Sequence, residues 1–275
     1  MDVAKFLAED IETVDITSEA LLADERAGAE ITAKQDCVLA GLEEAEEIFS
    51  HLGLEVTGLV SDGERVSKGQ AVLKIEGRAK DILAGERLAL NFLSRMSGIA
   101  TETRLLVDLC TPINPKVRIA ATRKTTPGFR SFEKKAVELG GGYPHRSGLS
   151  DQFLIKDNHL ALVPTIEEAV SRARESRWGR EGKKVEIEVE TLDAARRAVE
   201  AGADILMLDN VDPQEAEKGF RLIKELNSEV LVEISGGVTP DNIKLYAEYA
   251  DRISLGYLTH SIKAADFSLE IVRKQ

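Results

Sequence analysis

KVEIEVETLDAARRAVEAGADILMLDN, residues 184–210, is the stretch whose reading decides the fold. Val185, Ile187 and Val189 alternate with Glu186, Glu188 and Glu190, so the apolar and acidic side chains fall on opposite faces of a strand. Thr191 is suited to cap a helix over 192–201, which Gly202 would terminate. The apolar run ending at Asp209 reads as a second strand. Strand, helix and strand in immediate succession predict two parallel strands joined by a crossover helix. An acidic face on such a strand needs a hydroxyl, a cation or a metal to meet it, because both faces of a parallel sheet are covered.

The same texture extends outward. Strands are expected at 116–122, 152–156, 184–190, 204–209, 230–235 and 251–255, with helices at 130–139, 165–175, 192–201, 213–226 and 240–248. No GxGxxG follows the first strand, which argues against a dinucleotide-binding fold. The fold class expected is α/β: an incomplete α/β (TIM-like) barrel with a smaller N-terminal domain. Within residues 1–105, LEEAEEIFSHL (42–52) sets Leu42, Ala45, Ile48, Phe49 and Leu52 on one helical face. Residues 81–110 form a long apolar helical pattern, expected to break near Gly98. The domains expected are 1–105, 106–265 as the barrel, and 266–275 as a helix end returning to the first domain.

The 275 residues carry a net charge of −12, with 43% hydrophobic and 31% charged side chains. That composition fits a globular protein and argues against binding nucleic acid or an anionic membrane. The acidic N-terminus lacks a signal-peptide layout, and Cys37 and Cys110 are too few for a disulfide framework. A cytoplasmic setting is expected. Residues 123–159 run against the overall charge, with seven Lys/Arg and four acids. A cationic island in an acidic chain suits a small anionic substrate; Lys134 and Lys135 within it are expected on a helix surface.

Polar residues collect after each expected strand. Thr122, Arg123 and Lys124 follow the first, Lys156 and His159 the second, Asp209 and Asn210 the fourth. Ser235, Gly236 and Gly237 follow the fifth, and Gly256 to His260 the sixth. Barrel enzymes assemble active sites at these ends. The glycines suit phosphate-binding turns, Arg123, Arg146 and Lys156 suit carboxylates, and the acids suit ribose hydroxyls or Mg²⁺. In ELGGGYPHRSG (138–148) three glycines mark a tight approach ahead of His145 and Arg146.

NFLSRMSGIAT (91–101), TRKTTPGFR (122–130), KAVELGGGYPHRSGLSD (135–151), LIKDNH (154–159), EISGGV (233–238) and LTHSIKAADFSLEI (258–271) stand in one order with the 188–210 stretch. As a set they resemble the quinolinate phosphoribosyltransferase family. The resemblance implies an N-terminal α/β sandwich domain, an incomplete α/β barrel and a homodimer or higher oligomer with shared active sites. It implies joining of quinolinate and phosphoribosyl pyrophosphate, with Mg²⁺, to give nicotinate mononucleotide, pyrophosphate and CO₂. By the same resemblance, Thr122, Arg123, His145, Arg146 and Lys156 belong to the quinolinate pocket, and Arg87 enters it from the neighbouring subunit. Lys124, Glu188 and Asp209 are the implied catalytic residues. With Asn210, Ser235, Gly236, Gly237, Gly256 and His260 they also form the implied phosphoribosyl pyrophosphate site. Glu188 and Asp209 would meet Mg²⁺ indirectly or through substrate.

Two positions depart from the family pattern: Ala121 stands before TRK where Asp is common, and Pro144 before HR where Asn is common. Pro before HR also occurs in the related molybdenum-transport-associated branch, which lacks LIKDNH. Two other readings use the same residues. One is a Schiff-base barrel aldolase with Lys156 as nucleophile, which needs a desolvated amine. The other is a noncatalytic ligand sensor with 1–105 as an interaction module.

Overall fold

The computed structural model describes residues 1–272. In RAGAEITA, Ala29, Ile31 and Ala33 are the buried alternate positions of strand β1 (Arg26–Ala33). Two helices precede it, α1 (Val3–Asp10) and α2 (Ile16–Leu21). Each starts at an aspartate whose carboxylate accepts a first-turn N–H: Asp2 from Lys5, and Asp15 from Thr17 and Ser18. Then come β2 (Cys37–Val38), α3 (Leu42–His51), β3 (Glu55–Gly58), β4 (Arg65–Val66), β5 (Ala71–Arg78) and α4 (Ala79–Cys110). Strand β5 pairs antiparallel with β1 on one side and β3 on the other.

Helix α4 corrects one expectation, since it passes Gly98 unbroken for 32 residues. A Cβ at Gly98 would overlap the Lys263 carbonyl oxygen and lie 3.1 Å from Ala264 Cα. The glycine admits a close backbone rather than ending the helix. Gly140 behaves alike, because a Cβ there would stand 2.6 Å from the Ala100 carbonyl oxygen. Gly141 follows in the left-handed region, at φ 87°.

The parallel sheet contains β6 (Arg118–Ala120), β7 (Phe153–Ile155), β8 (Val185–Val189), β9 (Ile205–Asp209), β10 (Leu231–Ser235) and β11 (Arg252–Ser254), in the order β6-β11-β10-β9-β8-β7. Tyr143 adds a one-residue parallel bridge beside Ala120, outside β6. All six expected strands are present, and together they make an incomplete α/β barrel. The helices are α5 (Arg130–Leu139), α6 (Asp157–Leu160), α7 (Ile166–Glu175), α8 (Arg177–Arg180), α9 (Leu192–Glu200), α10 (Pro213–Leu226) and α11 (Tyr257–His260). Where a helix is expected at 240–248 the chain makes two 3-10 turns, Ile243–Leu245 and Ala247–Tyr249.

Val185, Ile187 and Val189 join Leu206, Leu208 and Val232 in one buried cluster with Val170, Ala195, Ala198, Val199 and Ile223 of the helices. Burying each large aliphatic side chain is worth about 1.5–3 kcal/mol, so this face is fixed by the alternation. The opposite face carries Glu188, Met207, Glu233 and Arg252, consecutive partners in register across β8, β9, β10 and β11.

The chain groups into two compact units. The first comprises Met1–Arg104, Lys135–Gly141 and the segment from Ser261 onward; the second comprises Leu105–Lys134 and Gly142–His260. Segments 135–141 and 261–265, expected within the barrel, therefore group with the N-terminal residues. The helix end expected at 266–275 is instead strand β12 (Phe267–Val272), antiparallel to β1 from Ala33↔Phe267 to Gly28↔Val272. Ser268 and Glu270 interrupt the apolar positions with a period of two, which suits a strand at a sheet edge. The rest of that expectation, 273–275, lies outside the described residues.

Candidate active site

The C-terminal ends of β6, β7, β9, β10 and β11 open on a cavity of about 520 Å³ in the second unit. Thr122, Arg123, Lys124, His145, Arg146, Lys156, Asp209, Asn210, Ser235, Gly236, Gly237, Gly256 and His260 line it. Two expected site residues do not. Glu188 meets the lining through its ion pair with Lys156, and Arg87 is an exposed residue of α4 in the first unit.

The start of α5 holds two of the loops. Glu133, fully buried, accepts the Thr126 N–H at 3.1 Å and its hydroxyl at 2.9 Å. Arg130 donates to Thr125 Oγ1 at 2.9 Å and to the Ser147 carbonyl at 3.0 Å, tying the loop after β6 to the one containing His145 and Arg146. Lys134 corrects another expectation. It is buried, with its ammonium on the carbonyls of Pro144 and His145. Lys135 is half-buried and pairs with Glu43 and Glu44.

The cationic side of the cavity is short of negative charge. Arg123 Nε is buried without a hydrogen-bond partner. Burial and the nearby Arg123 guanidinium lower the Arg146 pKa from its usual value, only partly offset by Glu186 and Asp151. Guanidiniums crowded in this way favour a bound anion. Lys156 also lines the cavity, its Nζ 2.5 Å from Glu188 Oε2 and its side chain 44% exposed. It is neither desolvated nor unpaired, so the nucleophilic-amine reading lacks the environment it requires.

The other side is built from backbone. Gly236 and Gly237 are consecutive left-handed residues, at φ 76° and 66°. Successive amides in such a turn can face an anion. Asn210 is itself left-handed at φ 55°, donates to Asp209 Oδ2 at 2.7 Å, and would collide with any side chain at Gly236. Gly256 serves a similar end: a Cβ there would lie 2.8 Å from Lys124 Cδ and 3.1 Å from His260 Nε2.

Beneath the cations lies a buried polar group that sequence reasoning found only in part. His145 Nε2 is 3.3 Å from Glu233 and 3.6 Å from Glu186, off the line of a hydrogen bond to either. Arg252 Nη1 donates to Glu233 at 2.9 Å, and Gln152 donates to Glu186 at 2.5 Å. Burial opposes a charge on the imidazole, but the two carboxylates outweigh it and push the His145 pKa up to about 9. Burial and Glu233 push Glu186 upward. Burial would raise Glu233 too, but His145 and Arg252 bring it below the usual range. His145 Nδ1 accepts the Arg146 N–H at 2.8 Å, which requires a lone pair there. Both demands are met when the proton that this trio retains sits on Glu186 and the neutral ring carries its own on Nε2. Glu233 was missed because VLVEIS reads as a mainly apolar core strand; a lone acid inside a covered parallel strand was the available signal.

Among the described residues no helix is long and apolar enough to cross a membrane. Residues 15–97 match the family model of the quinolinate phosphoribosyl transferase N-terminal domain, and 99–270 that of its C-terminal domain. A probable nicotinate-nucleotide pyrophosphorylase (carboxylating) of Methanothermobacter thermautotrophicus is 45% identical, with 98% of each chain covered. One from Archaeoglobus fulgidus is 44% identical over 89% of this chain and 94% of its own. The solved nicotinate-nucleotide pyrophosphorylase of Francisella tularensis superposes with a TM-score of 0.92 at 37% identity, covering 98% of this chain and 94% of that one. Matched in both domains and along nearly its whole length, the chain belongs to the quinolinate phosphoribosyl transferase family.

Proposed function

We propose that this protein transfers the phosphoribosyl group of phosphoribosyl pyrophosphate to quinolinate with decarboxylation, giving nicotinate mononucleotide, pyrophosphate and CO₂, a step of NAD biosynthesis. The observation that carries the reading is one cavity with under-neutralised guanidiniums on one side and a left-handed glycine turn beside an aspartate on the other.

Arg123, Arg146 and Lys156 take the two carboxylates of quinolinate, with Thr122 and His145 forming the wall beside them. Asp209 and Glu188 receive the ribose hydroxyls, Asn210 braces Asp209, and Ser235, Gly236, Gly237, Gly256 and His260 receive phosphate. Lys124 lies where the two substrates meet and faces the departing pyrophosphate. Arg87, exposed on α4, enters the site of a second subunit in a homodimer or larger assembly, and the enzyme works in the cytoplasm.

Two carboxylates and substrate phosphates are the oxygen donors that Mg²⁺ favours, so Asp209 and Glu188 fit the ion, indirectly or through substrate. When bound, it neutralises charge on the pyrophosphate. The chain's own part is positioning and electrostatics. The pyridine nitrogen attacks C1 of the ribose as the bond to pyrophosphate breaks. The ring nitrogen becomes cationic and accommodates the electron pair left when the adjacent carboxylate departs as CO₂. A proton then replaces it. Purified protein given quinolinate, phosphoribosyl pyrophosphate and Mg²⁺ is expected to form nicotinate mononucleotide and CO₂ in equal amounts. Binding of quinolinate without turnover would favour a sensor instead.

A further inference from the structure

His145 and Asn210 are the two non-glycine residues with positive φ among the described residues. A side chain in the left-handed region costs on the order of 1–2 kcal/mol, so surrounding contacts must hold it there. For Asn210 these are its side-chain bond to Asp209 and its N–H on the Ser235 carbonyl. For His145 they come from three directions: Lys134 on its carbonyl, the Arg146 N–H on Nδ1, and two carboxylates at Nε2.

Both carboxylates are fully buried, but Glu186 is held by the neutral Gln152 and Glu233 by a cation. Glu233 is fully buried and fixed by Arg252, its register partner on β11. Arg252 in turn lies over the Tyr143 ring, 4.5 Å from its centroid, and Tyr143 meets the His145 ring edge-on. Glu233 and Glu186 each keep one buried oxygen without a hydrogen-bond partner, as does Nε2 itself. One ligand atom from each of His145, Glu186 and Glu233 lies within 4.8 Å of the others, which could suggest a metal centre. A metal would need the Nε2 lone pair and a proton on Nδ1, yet Nδ1 already accepts an amide N–H. The donor chemistry therefore favours a ring held by its own Nε2 proton.

We propose that Glu233, backed by Arg252, is a positioning residue: its carboxylate, 3.3 Å from Nε2, attracts the Nε2–H end of a neutral His145 and, through the Arg146 amide on Nδ1, keeps Arg146 aimed into the cavity. The proposal rests on the phosphoribosyl-transfer reading, in which Arg146 grips a substrate carboxylate. The strand row that shapes the barrel interior thus reaches the substrate through one histidine.

The test combines a spectroscopic and a kinetic readout. Protein labelled with ¹⁵N-histidine, with the His145 signals assigned by their loss in His145→Asn, is expected to show a neutral Nε2–H imidazole at neutral pH. An Nδ1–H tautomer or an imidazolium would overturn the proposal, and no substrate or second folded variant of Glu233 is needed to see it. In steady state, Glu233→Gln is expected to raise KM for quinolinate roughly tenfold to a hundredfold, with kcat and the KM for phosphoribosyl pyrophosphate little changed. Adding Glu233→Gln to His145→Asn should then cost nothing further; fully additive losses would overturn the coupling. An inactive wild type with the expected spectrum would refute the reaction and leave the His145 arrangement standing.

Discussion

Gly98→Ala separates two physical accounts of the long helix by the sign of its effect. If the glycine weakened or broke α4, alanine would stabilise the protein by up to about 1 kcal/mol through helix propensity. In the structure α4 is continuous there, and the new methyl would overlap the Lys263 carbonyl oxygen. It would also press on Ala264 Cα and Ile262 Cδ1, both at 3.1 Å. Two of these three neighbours are backbone atoms. That backbone is tied down, because the Ala265 N–H donates to the Ser94 carbonyl one turn away on α4 at 2.9 Å. Overpacking of this kind costs about 1–3 kcal/mol. Net destabilisation of up to about 2 kcal/mol remains after the propensity gain, which lowers Tm by up to roughly 8 °C for a chain of this size. Thermal unfolding followed by far-UV circular dichroism reads it directly. A variant as stable as the wild type, or more so, would refute the close-approach argument.

Three further outcomes are expected. His145, Glu186 and Glu233 together retain one proton in the folded state up to about pH 9, which the histidine of the unfolded chain would release near 6.5. The stability this adds, about 3 kcal/mol, is complete below about pH 6.5 and lost as pH rises through about 9. Tm should fall across that window in the wild type and less so in His145→Asn. Lys134→Met should cost about 1–3 kcal/mol by orphaning the Pro144 and His145 carbonyls, and should raise KM for quinolinate; unchanged kinetics would contradict the role given to α5. Gly236→Ala forces a side chain into a left-handed turn against Asn210, and should weaken phosphoribosyl pyrophosphate on the order of tenfold with less effect on quinolinate.

The barrel was legible because its physics is periodic and local. A strand covered on both faces announces itself by apolar content, and 184–190 also announced which face holds chemistry. Strand-end loops were legible by position, and thirteen of the residues expected at the site line one cavity. What escaped depended on neighbours distant in sequence. Gly98 looks like a helix breaker until Lys263 is beside it. Lys134 looks like a solvated helix lysine until the Pro144 and His145 carbonyls turn toward it. Glu233 is hidden in an apolar strand, and only the register of β10 against β11 pairs it with Arg252. The last strand reads as part of a helix because its period-two alternation runs for only six residues, too short to decide between the two.

That strand has a consequence for how the protein is made. Strand β1 is finished within the first thirty-three residues, yet one of its two partners is residues 267–272. Through most of synthesis the β1 edge facing β12 therefore has its backbone N–H and C=O groups unpaired, a template for any other extended chain. The sheet of the first unit is completed only after the barrel strands have emerged. Expression conditions that crowd nascent chains should then penalise this protein through an unfinished sheet edge rather than through its active site.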